Sequence, residues 1–209
     1  MRLGYDAKRA FHNSSGLGNY SRDIIRIMSE YFPENEFILY NPKSKGNKKW
    51  LPENNHVQIR YPDTFFWKRF SGLWRQSAIS KQIAKDKIDI YHGLSGEIPR
   101  GLDKSVSKVI VTIHDLIFMR YPELYKAIDR KIYLNKFGYA AKKADVVIAI
   151  SEQTKRDIVA FLNCDEKKII VHYQGCHPVF KEQFSISRQE ETRKKRNLPE
   201  KFILNVGTL

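Results

Sequence analysis

Along the chain, short and nearly continuous apolar runs alternate with longer segments whose apolar residues return at helical spacing. The continuous runs predict strands over residues 2–6, 36–40, 57–61, 89–92, 108–113, 146–150 and 168–172. The periodic segments predict helices over 18–31, 67–85, 123–143 and 152–162. "KVIVTI" and "DVVIAI" show no polar alternation, the pattern of strands covered by helices on both faces. Strand and helix taking turns in this way predict an α/β fold, a Rossmann-like doubly wound parallel sheet.

The tail departs from this pattern. After "HYQGCHPVF" the chain becomes polar and helix-prone through "SISRQEETRKKRN" and turns apolar again in "LPEKFILNVGTL". The expected organisation is a Rossmann-like domain over 1–178, a helical linker over 179–201, and over 202–209 the opening strand of a further domain. "NPKSKGNKKW", residues 41–50, reads as a basic, solvated and mobile loop, and no internal repeat or low-complexity stretch interrupts the series.

With 42% hydrophobic and 12% aromatic residues the sequence supplies a sizeable core. Lys and Arg number 37 against 23 Asp and Glu, a formal net charge of +14, so the chain favours anionic partners. The cations are spread along the chain without a recognition helix or a ribonucleoprotein signature, which argues against nucleic acid as the partner. Cys164 and Cys176 match neither a disulfide framework nor a metal-ligand spacing, and the histidines lack partners at such spacing. Free thiols and no metal are therefore expected. The longest aliphatic run, "ADVVIAI", falls far short of the roughly 20 residues that span a bilayer, and the N-terminus lacks a secretory apolar region, so a soluble cytoplasmic protein is expected.

In a doubly wound sheet ligands bind beyond the carboxyl ends of the strands. Those positions hold Gly16, Leu17, Gly18 and Asn19 after the first strand, and His92 and Gly93 at the fourth. His114 and Asp115 follow the fifth, Ser151 and Glu152 the sixth, Gln174 and Gly175 the last. A glycine pair between strand and helix lets the backbone turn sharply and lets a phosphate approach the free amides of the helix start; a plain tight turn needs the same residues. Ser151 also suits a helix N-cap, with Glu152 on the helix dipole, and a histidine at a strand end also serves structure alone. A dinucleotide-binding fingerprint fails, because its third glycine falls at Ser21 and the second strand ends in Tyr40 and Asn41 rather than an acid. The stretch 64–87 mixes Phe65, Phe66, Trp67, Phe70 and Trp74 with Lys68, Arg69, Arg75 and Lys81. It reads either as an interfacial helix on an anionic membrane surface or as a crossover helix with its aromatics against the sheet.

"GLGNYSRDII", "VTIHDLIFMRYPELY", "ADVVIAISEQTKRDI" and "KFILNVGTL", in that order, resemble the N-terminal half of GT-B fold retaining glycosyltransferases of family 4, in particular the bacterial mannosyltransferase-like members. The resemblance implies a two-domain enzyme that moves a sugar, mannose in those members, from a UDP- or GDP-linked nucleotide-sugar donor to a glycan or lipid-linked acceptor, with no cofactor or metal. It implies that Gly16, Leu17, Gly18 and Asn19 face the donor diphosphate and that His114 bonds the transferred sugar. His92, Gly93, Asp115, Arg120, Tyr121, Ser151, Glu152 and Gly175 would line the acceptor side or the cleft. The family's basic pair on the diphosphate and its E-x7-E acids belong to a second domain. Glu182 and Glu190 match that acid spacing but precede the strand that would open it, so the 209 residues alone are expected to fold without transferring or hydrolysing sugar. The other reading is a non-catalytic module that binds anionic glycans or nucleic acid.

Overall fold

A computed structural model describes residues 1–52, 55–102 and 106–205. Its centre is a parallel seven-stranded sheet of β1 (Arg2–Asp6), β2 (Glu36–Tyr40), β3 (Val57–Arg60), β4 (Ile90–Gly93), β5 (Lys108–Ile113), β6 (Val146–Ala149) and β7 (Ile169–Val171). The strand order is β3-β2-β1-β4-β5-β6-β7. The order reverses at β1 and β4, so the chain winds outward from the middle in both directions. Their carboxyl ends form the switch point, where such sheets open a crevice.

The period of two along each strand divides the apolar residues between two cores. Leu3, Tyr5, Phe37 and Leu39 pack with Phe11 of α1 (Lys8–His12) and with Tyr20 and Ile25 of α2 (Gly16–Tyr31). Ile38, Tyr40, Val109, Val111, Ile113, Val147 and Ala149 face the other way. They meet Ile79 and Ile83 of α5 (Ile79–Lys85), Ala140 and Ala141 of α7 (Ala127–Lys143) and Ile158 of α8 (Glu152–Leu162). Both residue sets are apolar, which is why the strands read as unbroken runs.

The expected helix over 67–85 is not one helix. It divides into α3 (Phe65–Arg69), α4 (Ser71–Leu73), a π-helical turn at Trp74–Ala78, and α5. Phe70 leaves the helical region at φ −108° and ψ 48°, which separates α3 from α4. The π turn carries an extra residue per turn, and consecutive Trp74 and Arg75 are both buried on it. The helix expected over 123–143 is likewise preceded by a 3₁₀ turn at Pro122–Leu124, and α7 starts after an extended Lys126. Helix α1 and α6 (Ile117–Arg120) were not expected; at four or five residues they are too short to show a period. The basic loop is exposed over 43–49, as its composition predicts, and is tethered at two points: the Asn47 amide donates to the Phe11 carbonyl at 3.0 Å, and Trp50 lies 5.2 Å from the Phe11 ring.

Two compact units divide the chain, Met1–Gln174 and Gly175–Leu209. The second holds α9 (Ile186–Lys195), capped by the Ser185 hydroxyl, which accepts from the Arg188 amide. The strand expected over 202–209 does not form over 202–205, which have no regular structure and join no ladder; 206–209 lie outside the described residues. No helix among the described residues is long and apolar enough to cross a membrane.

Candidate active site at the sheet switch point

The turn into α2 is built around Asn13, whose Oδ1 accepts from the Ser15 amide at 2.8 Å, the Ser15 hydroxyl at 2.7 Å and the Gly18 amide at 3.3 Å. The amides of Gly18 and Asn19 both donate to the Ser15 carbonyl at 3.0 Å. Of the four residues singled out here, only Gly16 and Leu17 keep amides that donate to nothing among the described residues. The two glycines therefore differ in role. A Cβ on Gly18 would lie 1.9 Å from the Asn13 carbonyl oxygen, whereas one on Gly16 would meet nothing within 4 Å. Gly18 lets two backbone segments touch, and Gly16 leaves the helix start open to a ligand.

His114 follows β5 and is partly buried. Its Nε2 lies 3.0 Å from the Leu94 carbonyl, an acceptor, so that nitrogen carries the proton; Nδ1 then accepts from the Gln174 side-chain amide at 3.1 Å. Burial lowers its pKa and keeps the ring neutral. The Tyr20 ring, one turn into α2, meets His114 edge-on with centroids 4.7 Å apart, so one helix supplies both the open turn and the support of the histidine.

His92 and Gly93, expected to line the acceptor side, are buried instead. His92 Nε2 lies 2.8 Å from Thr112 Oγ1, which also meets the Tyr20 hydroxyl at 3.0 Å. This chain of polar groups supports the site from beneath. Gly93 gives room to the Glu97 carbonyl, which a Cβ would approach to 2.2 Å. Arg120 is tied by its guanidinium to the buried carboxylate of Asp157 on α8, while Tyr121 is exposed. Asp115 accepts from the Ile117 amide at 3.1 Å. Ser151 caps α8, accepting from the Thr154 amide at 3.1 Å, and Glu152 is exposed on its first turn. Gly175 belongs to the second unit.

One cluster escaped the sequence reading. Asp6 ends β1, and both its oxygens accept from Arg75, Nε at 2.9 and 3.1 Å and Nη2 at 2.5 Å. Arg75 Nη1 donates to Glu97 Oε2 at 2.7 Å, and Lys136 Nζ reaches the same oxygen at 3.4 Å. Arg75 is only 9% exposed, and the two carboxylates hold its pKa above the ordinary arginine value against the opposing pull of burial. Lys8 stands beside this cluster with its pKa lowered by burial and by the Arg75 charge. Asp6 at a strand's carboxyl end was the one available signal, since Arg75 lies in a stretch that reads equally as a lipid-facing surface.

Residues 24–179 match the family described as Glycosyltransferase Family 4. The chain belongs to Glycosyltransferase Family 4. Among solved structures it is similar to the Anabaena protein Alr3699/HepE in complex with UDP-glucose, with a TM-score of 0.61 and 16% identity over 94% of this chain and 49% of that one. The same protein with UDP and glucose gives 0.59 at 16% identity over 93% and 50%. A glycosyltransferase from Rickettsia africae gives 0.54 at 16% identity over 95% and 50%. No curated protein sequence matches the chain. The chain spans about half the length of these structures, and its fold is the N-terminal half of a GT-B glycosyltransferase.

In this family 4 domain the burial of His92 has a consequence for pH. Its pKa falls from 6.5 to about 3, first through burial and then through repulsion from His114 once acid protonates that ring. An unfolded chain takes up the proton below pH 6.5, and the folded one refuses it until about pH 3. The His92 contribution is therefore complete above pH 6.5 and is lost as pH falls, by at most about 1.4 kcal/mol for each pH unit. Urea unfolding at stepped pH is expected to give His92→Asn a flatter acid limb than the wild type; parallel limbs would contradict the buried neutral ring.

Proposed function

We propose that this domain is the acceptor-side half of a retaining glycosyltransferase that moves a sugar, mannose by the resemblance of its motifs, from a UDP- or GDP-linked donor to a glycan or lipid-linked acceptor. The observation that carries the reading is the open pair of amides at Gly16 and Leu17, beside a neutral His114 held through Tyr20 of the same helix. Anionic phosphate oxygens suit those amides, and charge that develops on a leaving diphosphate is met by preorganised dipoles without a metal. A sugar hydroxyl that displaces the Gln174 amide would donate to His114 Nδ1, so the ring orients the sugar rather than acting as an acid. Substitution on one face through an oxocarbenium-like state then needs only positioning and electrostatics from this half. The Alr3699/HepE complexes with UDP-glucose and with UDP and glucose support a nucleotide-sugar donor. The free thiols of Cys164 and Cys176 suit a reducing cytoplasm.

The test uses the protein translated from the complete reading frame that contains these residues, supplied with UDP-glucose, GDP-mannose and membrane lipid extract as acceptor. Nucleotide release that depends on acceptor, a product with the donor's anomeric configuration, and loss of turnover in His114→Ala with unchanged circular dichroism are expected. Release from no donor, with glycan or RNA still bound, would favour the non-catalytic module. An inverted product would overturn retention alone.

A further inference from the structure

We propose that the short helices α3 and α4 form a docking tip for an anionic lipid bilayer. Trp67 and Trp74 carry this segment's apolar weight inward, Trp74 within the core and Trp67 packed against it. The remaining large apolar residues point out: Phe65 is 85% exposed, Phe66 55%, Leu73 55% and Phe70 46%. They are not a loose surface scatter. Phe66 lies 4.9 Å from both the Trp67 and the Phe70 ring, so the exposed aromatics are fixed to an anchored residue. The Thr64 hydroxyl caps α3 by accepting from the Trp67 amide at 3.3 Å, which sets the tip's orientation.

Charge identifies the occupant. Lys68 and Arg69 are exposed among these rings and enter no ion pair with the described residues, and Asp63 is the one acid nearby in the segment. The chain as a whole carries +14. Aromatics interleaved with free cations match a bilayer interface, where rings settle at headgroup depth and each cation gains from anionic lipid. The structure also narrows the lipid-facing surface. Trp74 and Arg75, which the interfacial reading of 64–87 would place on it, are buried, and the Arg75 charge is spent on Asp6 and Glu97.

The experiment is sedimentation of the whole chain with vesicles of phosphatidylcholine, alone or mixed with phosphatidylglycerol. Retention is expected on the mixed vesicles, with release as salt screens the charges within about 10 Å at 0.1 M. Phe65→Ser/Phe66→Ser/Phe70→Ser is expected to weaken retention by about tenfold or more, since each ring would otherwise leave water. Lys68→Glu/Arg69→Glu is expected to lower retention on the mixed vesicles by about tenfold or more. Both variants change exposed positions and should keep the wild-type circular dichroism. No retention of the wild type, equal retention on neutral vesicles, or unchanged retention of either variant would overturn the proposal.

Discussion

Replacing Arg75 with methionine is expected to lower the stability of the chain by about 3–5 kcal/mol, the largest loss from any single change considered for this protein. Methionine fills most of the same volume, so packing is not the cause. The cost comes from Asp6, whose carboxylate is 5% exposed at the side chain and would keep its burial while losing all the guanidinium hydrogen bonds. Glu97 keeps only the longer contact with Lys136. Adding Asp6→Leu should restore part of the loss, because an ion pair replaced on both sides by apolar groups costs far less than a lone buried charge. Urea unfolding of the wild type, the single variant and the double variant measures this. A loss below about 1 kcal/mol in the single variant would show that the triad holds nothing together.

The second large effect separates the two glycines. Gly18→Val is expected to destabilise the chain by about 3 kcal/mol or more, because the added side chain begins 1.9 Å from the Asn13 carbonyl oxygen and backbone must move to admit it. That clash makes Gly18 a glycine of the fold and leaves Gly16 as the position where a side chain can be added beside the open amides without moving backbone. Gly16→Val meets nothing within 4 Å, and thermal melting should leave it close to the wild type. Equal melting of the two variants would mean the turn relaxes freely.

The sheet was readable in the sequence because strands covered on both faces must be apolar at every position, which leaves runs such as "KVIVTI" with no other use. The ends of the strands located the candidate site for the same reason, since function at a switch point needs only the strand boundaries. Depth was not readable. His92 and His114 both stand at strand ends, yet the first sits within β4 beneath Thr112 and the second lies just past β5 beside Tyr20. The helix expected over 67–85 failed differently. Its aromatics fit one amphipathic stripe on paper, but the break at Phe70 and the π turn divide them between the core and solvent. No periodicity records an extra residue in a turn, and so the buried Arg75 stayed hidden among surface cations.

We propose that a nucleotide-sugar's diphosphate meets the open amides of Gly16 and Leu17. Amide chemical shifts of the isotope-labelled chain during titration with UDP-glucose and GDP-mannose measure that contact directly. With few contacts available, saturable shifts at Gly16 and Leu17 are expected at about millimolar ligand, roughly −4 kcal/mol, and their loss in the folded Gly16→Val variant. Shifts confined to other residues, or the same shifts at Gly16 and Leu17 with uridine or guanosine lacking phosphate, would contradict it.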